Sequence, residues 1–220
     1  MNKVKTFAAM VVTAGMFAYA VPASAQTIGF KVGPTWSNVD FEGDDDNADR
    51  LQSIGGGGFV RFGMMGLALQ AEVLAVTKGT KETEEGFGEL KTKLDYIEVP
   101  LLARFSMGSS MPFSPYIMVG PSFGFNYGCT LDFESDDEDV IASDEVDCDD
   151  EDSGLGVDIK SLDIGATGVL GFEFKAGPGA ILVEGRYTHG FTDILDTDAE
   201  DSGAKNRMFG VMAGYSFTLR

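Results

Sequence analysis

The sequence predicts an all-β fold, an eight-stranded antiparallel up-and-down transmembrane β-barrel, and three observations lead to it. Stretches of roughly ten residues alternate between apolar and polar side chains, which is the length and pattern of tilted transmembrane strands. The connections between the stretches alternate between short and long. Most of the 35 acidic residues fall in the long connections. Because outer-membrane barrels have short periplasmic turns and long external loops, both chain ends are expected in the periplasm.

Residues 94–105, which read LDYIEVPLLARF, show the alternation most clearly. Side chains of a strand point alternately to opposite faces. From residue 96 to residue 105 one face is wholly apolar, and the other carries the carboxylate of Glu98 and the guanidinium of Arg104. Pro100, and Pro121 in the next strand, cannot donate to a ladder, so we expect a bulge or local break at each.

Seven further strands are predicted over 27–36, 54–63, 67–78, 115–127, 162–174, 180–193 and 208–219. Their outward faces carry Ile28, Phe30, Val32 and Trp36; Val60 and Phe62; Leu67, Leu69, Ala71, Val73 and Ala75; Ile117, Val119, Phe123, Phe125 and Tyr127; Leu162, Ile164, Ala166, Leu170, Phe172 and Phe174; Ile181, Val183 and Tyr187; and Phe209, Val211, Ala213, Tyr215, Phe217 and Leu219. Short connections are predicted at 63–66, 106–114 and 175–179, and long ones at 37–53, 79–93, 128–161 and 194–205.

Four acids and four bases fall at inward mid-strand positions. They are Glu72, Glu98, Glu173, Glu184, Lys31, Arg61, Arg104 and Arg186. Buried charges must be paired, and the interior of an eight-stranded barrel is just wide enough for side chains to fill. A plug of ion pairs is therefore the favoured interpretation, and a gate or proton path is the alternative.

The chain start is typical of a secretory signal peptide. Lys3 and Lys5 precede the apolar run 7–21, and Ala23-Ser24-Ala25 forms a small-residue cleavage site. The sequence therefore predicts a signal peptide over 1–25 and one barrel domain over 26–220. No later apolar run approaches the roughly 20 residues of a transmembrane helix, so only a closed barrel could span a membrane. A net charge of -19 excludes the basic footprint of a nucleic-acid-binding protein.

Two features of the long connections suggest sites. Cys129 and Cys148 belong to an exported chain, in which a disulfide persists, so a loop-closing disulfide is favoured over reactive thiols. Asp147, Asp149, Glu151 and Asp158 have part of the spacing of an EF-hand, although Asp152 stands where glycine is needed. We expect loosely bound Ca²⁺ or Mg²⁺ there, and no other cofactor.

His189 is the single histidine and falls on an outward face near the outer rim. No nearby serine or acid completes the relay that nucleophilic catalysis needs, so we expect an interfacial residue rather than a lipid-modifying enzyme. Trp36, Tyr127 and Tyr187 near the outer strand ends fit an interfacial aromatic girdle.

Residues 94–105 resemble the fourth-strand signature of the bacterial outer-membrane β-barrel domain family, labelled "porin family" or PorT-type. LQAEVL at 69–74, PYIMVGP at 115–121 and EGRYTHG at 184–190 are similar to its third, fifth and seventh strands. MAGYSFTL at 212–219 resembles the C-terminal signal that the barrel-assembly machinery reads. The resemblance implies a monomer in the outer membrane, surrounded by lipid and lipopolysaccharide.

The expected function is a non-enzymatic one at the cell surface, either envelope-structural or as an interaction protein whose acidic loops meet cations, lipopolysaccharide or a protein partner. A component of a secretion or assembly system and a narrow channel are the alternatives. A soluble, lipocalin-like barrel is the alternative fold, and the charged inward face disfavours it.

Overall fold

The computed structural model describes residues 26–41, 49–64, 66–84, 88–107, 113–134, 144–147, 160–193 and 204–219. The predicted signal peptide, residues 1–25, lies outside this part of the chain and stays a prediction. The described strands are β1 (Gln26–Phe41), β2 (Asp49–Met64), β3 (Leu67–Glu84), β4 (Gly88–Ser106), β5 (Phe113–Glu134), β6 (Asp144–Asp147), β7 (Leu162–Ala176), β8 (Gly179–Gly190) and β9 (Ala204–Thr218).

Eight long antiparallel strands close into a barrel. Each pairs with its neighbour in the chain, β5 pairs with β7, and β9 returns to β1. The short β6 pairs with the outer end of β5, above the wall of the barrel. Closure satisfies the backbone of the wall without leaving a sheet edge, as lipid requires. No helix among the described residues is long and apolar enough to cross a membrane.

The predicted alternation sets the two faces of the wall. On β3, Leu69 is 67 % exposed on the outer face, whereas Gln70 and Glu72 are buried inside. On β9, Phe209 and Val211 face outward, and Met212 is fully buried. An apolar outer face of this extent suits lipid, because soluble monomers rarely expose so large an apolar patch.

Several strands run farther outward than predicted. The predicted long connection 79–93 is mostly ladder, since β3 continues to Glu84 and β4 begins at Gly88. β5 likewise continues to Glu134, and β6 adds a ninth short strand to its end. The antiparallel register set within the wall continues outward, and Lys93 contacts Asp132 across β4 and β5. Charged residues that resemble a loop in sequence are therefore carried on paired strands.

No bulge forms at either proline, but the expected local breaks in the ladder occur: pairing of β4 with β3 passes over Pro100, and pairing of β4 with β5 passes over Pro121. Pro100 is the register partner of Ser122 and Pro121 that of Ala166, and the register does not shift at either. The shifts fall between Asp95 and Tyr96 and within β2.

Candidate functional site

The middle of the barrel contains a layer of two bases and two acids. The ammonium nitrogen of Lys31 lies 2.7 Å from Oε1 of Glu72 and 2.5 Å from Oε1 of Glu184. Nη1 of Arg186 lies 3.0 Å from Oε2 of Glu72 and 3.8 Å from Oε1 of Glu184. All four side chains are at most 1 % exposed. Each of these charges therefore faces an opposite one in a place that water does not reach.

Neutral side chains complete this middle layer. Gln70 donates a hydrogen bond of 2.7 Å to Oε1 of Glu72, and the Tyr116 hydroxyl donates one of 2.9 Å to Oε2 of Glu184. The Lys31 ammonium also lies 5.5 Å from the centre of the Phe59 ring. Buried carboxylates need such partners to offset the loss of water.

A second layer lies near the end of the barrel where short turns join the strands. Arg61 holds Glu173 with two hydrogen bonds, 2.8 Å from Nη1 and 3.2 Å from Nη2. Arg104 also contacts Glu173, and its guanidinium carbon stands 3.6 Å above the Tyr116 ring. A polar cavity of about 240 Å³, lined in part by these three charged residues, opens beside them. This layer has one base more than it has acids.

The third layer lies toward the long connections, and the sequence prediction missed two of its three charged residues. Nζ of Lys78 lies 3.1 Å from Oε2 of Glu98 and 3.3 Å from Oδ2 of Asp163. Ser122 and Thr188 donate hydrogen bonds of 2.9 and 3.3 Å to Oε1 of Glu98.

The ion pair of Glu98 differs from the prediction, which pairs Glu98 with one of the four predicted bases. Its ion-pair partner is Lys78, which we had placed at the end of a strand. Lys78 shares the even-numbered parity of Gln70 and Glu72, so the alternation itself was the available signal. Asp163 has inward parity too, but its position at the end of a predicted strand does not mark it as a lumen charge.

Apolar side chains pack around the third layer and extend beyond it. The cluster contains Val39, Leu74, Val76, Leu94, Tyr96, Cys129, Ala204 and Met208, all buried. Leu74 is the register partner of Glu98, and other members come from the outer thirds of β1, β4, β5 and β9, so the cluster fills the lumen from the level of Glu98 outward. The described interior is thus filled by three charged layers and an apolar cluster.

The family comparison agrees with this architecture. A family model described as "Outer membrane protein beta-barrel domain" matches residues 24–196. The chain belongs to this family. Its location is the outer membrane, as predicted, whereas the match does not distinguish the PorT-type label, which stays a prediction.

The chain is similar to solved outer-membrane barrels at low sequence identity. Ail, the attachment invasion locus protein of Yersinia pestis, is 14% identical, with 88% of this chain and 99% of that chain covered and a TM-score of 0.44. Neisserial surface protein A is 10% identical, with 87% of this chain and 96% of that chain covered and a TM-score of 0.49. OprG of Pseudomonas aeruginosa is 13% identical, with 88% of this chain and 97% of that chain covered and a TM-score of 0.48. None of the curated proteins compared with the chain matches it.

In this member of the family, the predicted disulfide and cation site involve segments beyond the described strands. Cys129 is buried near the outer end of β5, and Cys148 lies outside the described residues. Asp147 ends β6, and Asp149, Glu151 and Asp158 also lie outside them. Within the part of the chain that the structure describes, no group of three His, Cys, Asp or Glu residues could hold a metal ion. Both sites stay predictions.

Aromatic side chains line the outward face near the outer rim. The His189 ring lies 6.4 Å from that of Tyr187 and 5.4 Å from that of Phe191, and Trp36 stacks on Phe209 at 5.9 Å. Tyr127 is exposed on β5. Rings in this position are typical of a membrane–water interface.

Proposed function

We propose that this outer-membrane protein is a closed, non-enzymatic and non-conducting barrel that holds acidic segments at the cell surface. There the segments would meet divalent cations, lipopolysaccharide or a protein partner. The observation that carries the proposal is the filled interior, in which three layers of paired charges and an apolar cluster follow one another along the barrel.

A filled interior argues against transport and against chemistry inside the barrel. A conducting path needs a continuous wet passage, yet the side chains of the middle and outer charged layers are at most 3 % exposed. An acid–base catalyst needs access to a reacting group, whereas these carboxylates are already bound to bases and hydrogen-bond donors. Structural ion pairs of this kind require no further function.

The outer side of the molecule carries the remaining charge. The sequence places Glu42, Asp44, Asp45 and Asp46 between β1 and β2, and Asp136, Asp137, Glu138 and Asp139 between β5 and β6. The outward continuation of β3, β4 and β5 supports presentation of such segments well above the wall. Like charges at this density favour binding of cations or of a basic partner.

Planar-bilayer recording tests the closed barrel. Purified protein inserted into a bilayer should show no steady current steps under conditions in which a large porin, as a control, conducts. Reproducible open-channel steps from the folded protein would contradict the proposal and favour the narrow-channel alternative.

Crosslinking in intact cells, with mass spectrometry of the products, tests the surface role. Replacing Asp136, Asp137, Glu138 and Asp139 by their amides should remove crosslinked products that the unaltered protein gives. The matched control exchanges Asp for Glu and Glu for Asp at the same four positions, which keeps the charge and should keep the products. Identical products from both variants would mean that these acids bind no partner.

A further inference from the structure

The outer wall of the barrel has a groove that neither the interior nor the acidic segments explain. It has a volume of about 680 Å³ and crosses β7, β8 and β9 on the lipid-facing side. Its sides are formed by Leu170, Phe172, Val183, Tyr187, Phe209 and Val211. Two outward-facing glycines, Gly168 and Gly185, form its bottom, so no side chain covers the backbone there.

Packing does not require glycine at either position. A Cβ atom added to Gly168 or to Gly185 would meet nothing within 4 Å. At Gly33 and Gly57, by contrast, an added Cβ would lie 2.0 Å from a backbone oxygen. The groove is therefore open space that a larger side chain could have filled, and its apolar sides would bury the chain of a hydrocarbon ligand favourably.

The position of the groove limits what can occupy it. It lies on transmembrane strands, so the hydrocarbon of the bilayer surrounds it. Its outer end is marked by Tyr187 and Phe209, which are register partners and belong to the aromatic interface described above. An acyl chain of a lipid in the outer leaflet can enter this groove from the membrane without any opening of the barrel.

Bases stand directly beyond the outer end of the groove. His189 and Arg207 are register partners, two residues farther out than Tyr187 and Phe209, or roughly 7 Å along strands with a rise of about 3.4 Å per residue. Lys205 lies two residues before Arg207 in β9 and therefore two residues farther out. Asn206 and Met208 are buried inside, so Arg207 and Lys205 share the outward face of the groove.

We infer that the groove and these bases form a binding site for one anionic glycolipid of the outer leaflet, the lipid A part of lipopolysaccharide. An acyl chain lies on Gly168 and Gly185, and a phosphate accepts hydrogen bonds from Arg207 and Lys205. Guanidinium and ammonium groups bind phosphate through charge-assisted hydrogen bonds. The site goes beyond the proposed surface function and uses no acidic segment, so either can fail without the other.

Native mass spectrometry of the folded barrel with purified lipid A tests the acyl-chain part. Gly185→Leu fills the groove with a side chain that lipid tolerates. It should weaken binding of lipid A about tenfold or more, since burial of two methylenes corresponds to a factor of about that size. The matched control is Gly58→Leu, an outward-facing glycine on β2 where an added Cβ would meet one atom at 3.6 Å. A heat-modifiable gel shift checks that both variants fold.

Two further comparisons test the phosphate part. Arg207→Gln together with Lys205→Gln should reduce the preference for lipid A over its dephosphorylated form several-fold. The control Lys175→Gln, at an exposed position near the short turn between β7 and β8, should not reduce it. Equal binding by the Gly185→Leu and Gly58→Leu variants would overturn the proposal. So would equal binding of lipid A, dephosphorylated lipid A and phosphatidylethanolamine. A dimer that Gly185→Leu abolishes would assign the groove to a second copy of the chain instead.

Discussion

The ammonium nitrogen of Lys78 lies 3.1 Å from the carboxylate of Glu98, in the lumen near the end of the barrel that carries the long connections. The same nitrogen reaches Asp163 at 3.3 Å, so one base serves two acids. All three side chains are at most 3 % exposed. A buried charge that loses its partner is costly, and this arrangement makes the wall sensitive to a single residue.

Replacement of Lys78 by methionine should therefore destabilise the folded barrel strongly. Two carboxylates would lose their base, and loss of one partner of a buried ion pair typically costs about 3–5 kcal/mol. The change in free energy of unfolding is measured by urea titration of the protein in vesicles, with the folded fraction read from its heat-modifiable mobility on a gel. Lys81→Met, on the outward face of the same strand, is the control and should have a much smaller effect. Equal loss of stability in the two variants would show that water solvates the inside of the barrel.

The alternation of short and long connections predicts which side of the membrane each one faces. In a variant without the two native cysteines, cysteine introduced at Asp45 or Asp198 should react with an impermeant thiol reagent on intact cells. Cysteine introduced at Ser110, in the short connection between β4 and β5, should react only after permeabilisation. The opposite pattern would invert the topology.

Cys129 and Cys148 should form a disulfide in the exported protein. Intact mass under non-reducing conditions should be two hydrogens lower than after reduction and should not increase with a thiol-alkylating reagent. In the chain-entropy account, closing this segment stabilises the fold by about 3 kcal/mol at most. Two alkylated cysteines in freshly isolated, unreduced protein would exclude the pairing.

Divalent cations should order the acidic segment between β5 and β7. Glu145 on β6 is the register partner of Asp132, and Glu89 on β4 is that of Glu134, so the ladder pairs acidic positions with one another. Calcium can bridge such carboxylates, with a Kd near or above roughly 10⁻⁴ M for an unformed external site.

Protease digestion measures this effect. Millimolar Ca²⁺ should protect the segment, while Na⁺ at the same ionic strength, which only screens exposed charges over about 10 Å at 0.1 M, should not. Equal protection by the two ions would show that the carboxylates of the segment bind no Ca²⁺ specifically and are only solvated.

Strand parity alone places much of the interior. It predicts the inward positions of Lys31, Glu72 and Arg186, because apolar neighbours on both sides must face lipid. It cannot predict that Glu72 contacts both bases, since partners across the lumen depend on how far successive strands are staggered around the barrel. That stagger is set by the closed ladder and not by any single strand.

The features that the sequence did not reveal have physical reasons as well. The outer half of β3 carries Lys81 and Glu82, and the outer half of β4 carries Glu89 and Lys91. In sequence both resemble a loop, yet the register of the wall extends through them. The groove was also missed, because Gly168 and Gly185 have unremarkable outward parity. Only the pairing of Gly168 with Tyr187 and of Gly185 with Val211 brings the open positions together.

The unequal layers also give the barrel a direction. At the end of the short turns, Arg61 and Arg104 share Glu173, whereas at the end of the long connections Lys78 is shared by Glu98 and Asp163. The wall therefore encloses a permanent electric dipole along its axis, with its positive end at the short turns and its negative end at the long connections. A barrel threaded through the membrane the other way would reverse that dipole. Any potential across the membrane would thus distinguish the two orientations, even for a barrel without its acidic segments.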